Sequence, residues 1–72
     1  MKKKIEEFIL KNLYQTIDTF TSILRDYLDS NFNYEIIISN VAKKMLGNEH
    51  FTFIELYVPH ENKMYSFTIQ LH

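Results

Sequence analysis

Three histidines, His50, His60 and His72, are the first residues in this chain that could do chemistry, since neutral imidazole is a common zinc ligand. Zinc takes three or four converging ligands. In the hairpin described below, His50 and His72 share one end and His60 sits in the loop at the other. The chain contains no cysteine, which removes thiolate ligands and disulfides together. No metal is expected.

Carboxylates come next, because general acid–base catalysis needs them in a shielded cleft. Glu6, Glu7, Asp18, Asp26 and Asp29 fall on or beside the wet side of an amphipathic helix. Glu55 differs: it stands mid-strand among Phe53, Tyr57 and Ser66, where a covering partner would have to supply a cation or a donor. No serine occupies a glycine-flanked elbow, and a single glycine leaves no phosphate-cradling loop. The sequence therefore predicts no enzyme, no cofactor and no small-molecule substrate.

The elements that position these residues follow from hydrophobic spacing. Ile5, Ile9, Leu13, Ile17, Phe20, Leu24 and Tyr27 recur at steps of three and four, predicting one long helix over 2–29. Its apolar stripe spans roughly 140°, wider than packing on a single sheet requires. Phe8 and Tyr14 lie outside even that stripe. Such a helix is about 42 Å long and overhangs strands of about 27 Å. Width and overhang together predict a helix flank that touches something more. Lys2, Lys3 and Lys4 at the start and Asp26 and Asp29 at the end oppose the helix macrodipole, an arrangement that an antiparallel second helix would relieve.

After this helix, the β-branched run at Tyr34–Ile38 predicts a strand over 34–39. Ser39 or Asn40 can cap a short helix over 40–46, with Gly47 as its stop. Residues 51–58 and 64–71 alternate and predict a hairpin closed by Pro59-His60-Glu61-Asn62. Matching apolar with apolar sets Leu56 opposite Tyr65 and Ile54 opposite Phe67. The same register sets Tyr57 opposite Met64, Glu55 opposite Ser66 and Phe53 opposite Thr68. The fold class expected is α+β: one domain over 1–72, with a long helix on a three-stranded, mainly antiparallel sheet, in the order α-β-short α-β-β.

That architecture leaves one side of the sheet without a cover. Phe51, Phe53, Tyr57 and Met64 fall on the strand face opposite Ile54, Leu56, Tyr65, Phe67 and Ile69, and Ile37 would make their patch contiguous. Aromatic residues and Met are enriched in the cores of protein interfaces. The expected interface residues are thus Phe51, Phe53, Glu55, Tyr57, Met64 and Ile37 on the sheet, with Phe8 and Tyr14 on the helix.

Nucleic acid is the alternative partner. Ser39 to Gly47 resembles the first helix and turn of a helix-turn-helix, with an Ala-to-Gly spacing one residue longer than that motif has. The strand-like Phe51–Glu55 that follows cannot serve as its recognition helix. A helix followed by three strands also resembles a double-stranded-RNA-binding domain, but without that domain's basic C-terminal helix. Phe51, Phe53 and Tyr57 could stack bases, while Lys43 and Lys44 supply the phosphate contacts that affinity demands.

Composition bounds the rest. A chain of 72 residues buries a small core and commonly needs an oligomer for stability. A net charge of −1 gives no long-range pull on nucleic acid. No apolar run approaches the roughly 20 residues of a membrane span, and Glu6 and Glu7 interrupt any signal-peptide core. Cytoplasmic location is expected. Lys outnumbers Arg seven to one, and Asn, Ile, Tyr and Phe abound. Those residues have AT-rich codons, which suits an AT-rich bacterium, its phages or its plasmids. The expected function is a small non-enzymatic regulator or inhibitor, homodimeric, that binds another protein.

Overall fold

The N-terminal amphipathic stretch forms two helices, α1 (Lys2–Lys11) and α2 (Ile17–Asn31), in a computed structural model that describes residues 2–71. The single long helix is corrected here, and the cause is local. The Asn12 side-chain amide donates to the Phe8 carbonyl at 2.8 Å, and its backbone N–H turns back to the Ile9 carbonyl at 3.0 Å. Four residues later Thr16 caps α2, its hydroxyl accepting from the Thr19 N–H at 3.2 Å. Asn and Thr compete with the helical ladder in this way, so they interrupt an apolar periodicity that runs on past them. The break removes the overhang. At 1.5 Å per residue the helices reach only about 15 Å and 22 Å, and both fit across the sheet.

Three strands complete the chain: β1 (Ile37–Leu46), β2 (Glu49–Val58) and β3 (Lys63–Leu71), antiparallel in the order β1-β2-β3. The fold class is α+β, two helices layered on one face of a three-stranded antiparallel sheet. The second hairpin has the register that its pattern dictates: Leu56 pairs with Tyr65, Ile54 with Phe67, Glu55 with Ser66 and Tyr57 with Met64. A 3₁₀ turn, Pro59–Glu61, and a left-handed Asn62 at φ 50° close its loop.

The short helix over 40–46 does not form; those residues are the second half of β1. Gly47 and Asn48 make a two-residue turn, with Leu46 paired to Glu49 across it. Gly47 has φ +64°, a value that favours glycine at the first central position of a hairpin turn. Ala, Lys, Met and Leu are good helix formers, but propensity yields when β2 offers a complete ladder. β1 also starts at Ile37, three residues later than the apolar run suggests.

A bulge at Ser39 sets which β1 side chains face the helices. The register slips between Ile38 and Asn40, so Ile38 pairs with Leu56 and Val41 with Ile54. Both side chains pack against the core, although they are three residues apart. The core itself comprises Ile5 and Ile9 of α1, Phe20, Leu24 and Leu28 of α2, and Ile54, Leu56 and Phe67 of the sheet.

Candidate functional site: the open sheet face

Strand alternation carries every second residue of the sheet away from the helices. On β2 these are Glu49, Phe51, Phe53, Glu55 and Tyr57, in step with half-burial from Phe51 to Tyr57 while Thr52, Ile54, Leu56 and Val58 are buried. Cross-strand pairing completes the rows. Ile37 lies beside Tyr57 and Met64; Asn40 beside Glu55 and Ser66; Ala42 beside Phe53 and Thr68; Lys44 beside Phe51 and Gln70. Leu46 and Glu49 form the last row.

All six sheet residues expected at an interface share this face. Ile37 is 42% exposed and Met64 48%, and both flank Tyr57, so the apolar patch is contiguous at that end. Leu46, 62% exposed, extends it at the other end. Reading 40–46 as a helix had hidden Leu46; the Gly47-Asn48 pair, a hairpin signal, would have revealed it.

Electrostatics on the face is local. Asn40 donates to Glu55 Oε1 at 3.4 Å, which gives the mid-face carboxylate one donor. The Lys44 ammonium lies 5.1 Å from the Phe53 ring centroid, and the rings of Phe51 and Phe53 are 6.2 Å apart and tilted. Asn40, Lys44, Phe53, Glu55, Ser66 and Thr68 together line a shallow hollow. Tyr57 donates to Asn62 Oδ1 at 2.8 Å, tying the edge of the face to the hairpin loop.

Lys43 and Lys44 do not act together. Alternation sends Lys43 to the helix side, where its ammonium donates to the Gln15 carbonyl, while Lys44 stays on the open face. The two helix residues separate as well. Phe8 is half-buried between the helices, 6.4 Å from Phe20 and stacked on Tyr27 at 4.2 Å. It fills the helix–helix seam of its own chain. Tyr14 stands in the inter-helix connection, 79% exposed and remote in sequence from the sheet residues.

The histidines stay apart as far as the described residues show. His50 pairs beside Leu71, while His60 lies edge-on to Tyr34 at 4.6 Å and 3.9 Å from Glu61. Among the described residues no three His, Asp or Glu side chains gather as metal ligands would. The expected place of His72 at the same end as His50 lies outside the described residues. No helix among them is long and apolar enough to cross a membrane. No protein-family model matches the chain, and neither a curated protein nor a solved structure matches it.

Proposed function

We propose that this chain is a non-enzymatic binding protein whose open sheet face docks on another protein. One observation carries the reading: two apolar clusters, Ile37, Tyr57 and Met64 at one end and Phe53, Phe51 and Leu46 toward the other, flank the polar row Asn40, Glu55 and Ser66 on the side of the sheet away from both helices. Aromatic residues on a rigid sheet lose little rotamer entropy when covered, which is why they anchor interface hot spots. Glu55, half-buried with one donor, supplies specificity: a partner that covers it must bring a second donor or a cation. Regulation or inhibition suits a protein of this size with one binding face, and the codon bias suits a phage or plasmid source.

A second reading rests on Lys44 and Phe53. An ammonium beside paired aromatic rings is chemistry that holds single-stranded nucleic acid, with bases stacked and a phosphate neutralised. The separation of Lys43 from Lys44 weakens it, because affinity grows with the number of phosphates met on one face.

Two variants divide the readings. Phe53→Ser removes the centre of an apolar interface and barely alters a phosphate-driven one. Lys44→Glu does the converse. A pull-down in which Phe53→Ser loses a protein retained by wild type and by Lys44→Glu supports the first reading. If Lys44→Glu abolishes the biological activity while the protein stays folded, and Phe53→Ser spares it, the first reading falls.

A further inference from the structure

The two edges of the sheet are protected very differently. β1 carries the bulge at Ser39 and two lysines, Lys43 and Lys44, which are familiar devices against edge-to-edge pairing. β3 carries neither. From Met64 to Leu71 it reads MYSFTIQL, with no charge, proline or glycine, and its pairing to β2 runs without a bulge. Among the described residues, no hydrogen bond from outside the sheet reaches the β3 backbone. A strand of nine residues is about 30 Å long, and one side of it has unpaired N–H and C=O groups.

We propose that β3 is the docking edge for a second copy of this chain, pairing antiparallel with its own counterpart to make a continuous six-stranded sheet. The sequence of β3 is self-complementary about Phe67. Residues directly opposite in an antiparallel pair point to the same face, so only registers that keep the helix side against the helix side survive. The register centred on Phe67 uses all nine residues. It sets Phe67 against Phe67 of the second copy and Tyr65 against Ile69 on the helix side. On the open side it sets Ser66 against Thr68 and Met64 against Gln70. Aromatic and β-branched side chains meet at the centre and hydroxyl meets hydroxyl, Met64 faces Gln70 and Lys63 faces Leu71 toward the ends, and no like charges oppose. Roughly 8–10 backbone hydrogen bonds would form.

Area favours the edge over the face as the site for a second copy. The open face, with ten-residue strands at its centre, measures about 33 Å by 14 Å, roughly 460 Å² of plane, from strand rise and spacing. Each face in such a contact falls short of the roughly 800 Å² per partner of a stable interface. Edge pairing draws its affinity largely from the backbone ladder and its specificity from the side-chain pairs, so it depends less on area. It also leaves both open faces uncovered, so the inference stands apart from the proposed function, and either can fail alone.

Mass in solution and amide hydrogen exchange test it on the wild-type chain. The expected result is a dimer at tens of micromolar protein in which β3 amides of both parities, 63 through 71, exchange slowly. In a monomer or a face-to-face dimer, every second β3 amide faces solvent and exchanges fast. Ser66→Lys with Thr68→Lys places four lysines around the proposed pairing and alters only exposed side chains. It should weaken dimerisation at least about tenfold, with an unchanged circular-dichroism spectrum, while Phe53→Ser leaves the dimer intact. A monomer at every concentration, a dimer with alternating fast β3 amides, or a dimer that survives the double lysine variant each overturns the proposal.

Discussion

Phe8 of α1 stacks on Tyr27 of α2 with ring centroids 4.2 Å apart and planes 16° from parallel. The pair clasps the two short helices, and the Tyr27 hydroxyl adds a hydrogen bond to the Lys4 carbonyl at 3.3 Å. A ten-residue helix has little stability of its own, so α1 depends on this seam and on Ile5 and Ile9 beneath it. Phe8→Ala should cost about 2–3 kcal/mol, less than a fully buried large aromatic because the ring is only half-buried. In a domain of this size that lowers the melting temperature by about 10 °C or more. Tyr27→Phe, which keeps the ring and removes only an exposed hydrogen bond, should stay within about 0.5 kcal/mol of wild type. Thermal melts of the two variants check both; equal losses would show that the hydroxyl, and not the ring, holds the seam.

Thr52 is 2% exposed on the helix side of β2, and its hydroxyl has no hydrogen-bond partner in the structure. Burying an unpaired hydroxyl costs about 1–3 kcal/mol. Valine keeps the branched shape that the strand prefers and removes the orphan group. Thr52→Val is therefore expected to stabilise the fold by about 1 kcal/mol, seen as a rise in denaturation midpoint with an unchanged m-value. A loss of stability would mean that the hydroxyl has a partner in solution, such as an ordered water.

What was legible in the sequence divides along the range of the interactions involved. The β2–β3 hairpin could be read down to single residue pairs, because alternation over eight positions and a four-residue loop leave one register that matches apolar with apolar. The open face followed directly from that register. Both errors arose where a local polar choice or a distant strand overrides periodicity. Asn12 and Thr16 look tolerable inside a long apolar stripe, and only their own backbone hydrogen bonds end α1 and begin α2. Val41–Leu46 has helical residues but strand neighbours, and its identity depends on pairing with Glu49–Ile54, which no local propensity encodes. Mistaking that segment misplaced Lys43 and Lys44 on one surface and left Leu46 out of the apolar patch.

Gly47 tests the corrected turn. A two-residue hairpin turn needs its positive φ, and no atom lies within 4 Å of where a β-carbon would stand. Gly47→Ala thus meets backbone strain without a steric clash and should cost about 1–2 kcal/mol. Gly47→Asn should cost less than the alanine variant, because asparagine tolerates the left-handed region. Were residues 40–46 helical and Gly47 merely a helix stop, the two substitutions would leave the Leu46–Glu49 cross-strand contact absent in nuclear Overhauser spectra. Its presence in the wild type and weakening in Gly47→Ala is the outcome that the hairpin requires.

Tyr65 donates its hydroxyl to Glu61 Oε1 at 2.7 Å, with the Lys63 ammonium 5.1 Å from its ring. The hydrogen bond to Glu61 is the main reason that the phenol titrates above its ordinary 10.0; burial and the nearby carboxylate charge add to it. A raised phenol pKa means that the folded state holds the proton more tightly than the unfolded chain does. The stabilisation is therefore complete below about pH 10 and fades as pH climbs through the folded-state value. Glu61→Gln removes the charged acceptor and should bring the Tyr65 midpoint down toward 10. Labelling the tyrosine Cζ carbons and following their shifts with pH reads the Tyr65 titration. An unmoved Tyr65 midpoint in Glu61→Gln would mean that the loop contact closing the β2–β3 hairpin opens in solution, freeing Pro59–Glu61 from the strand that it caps.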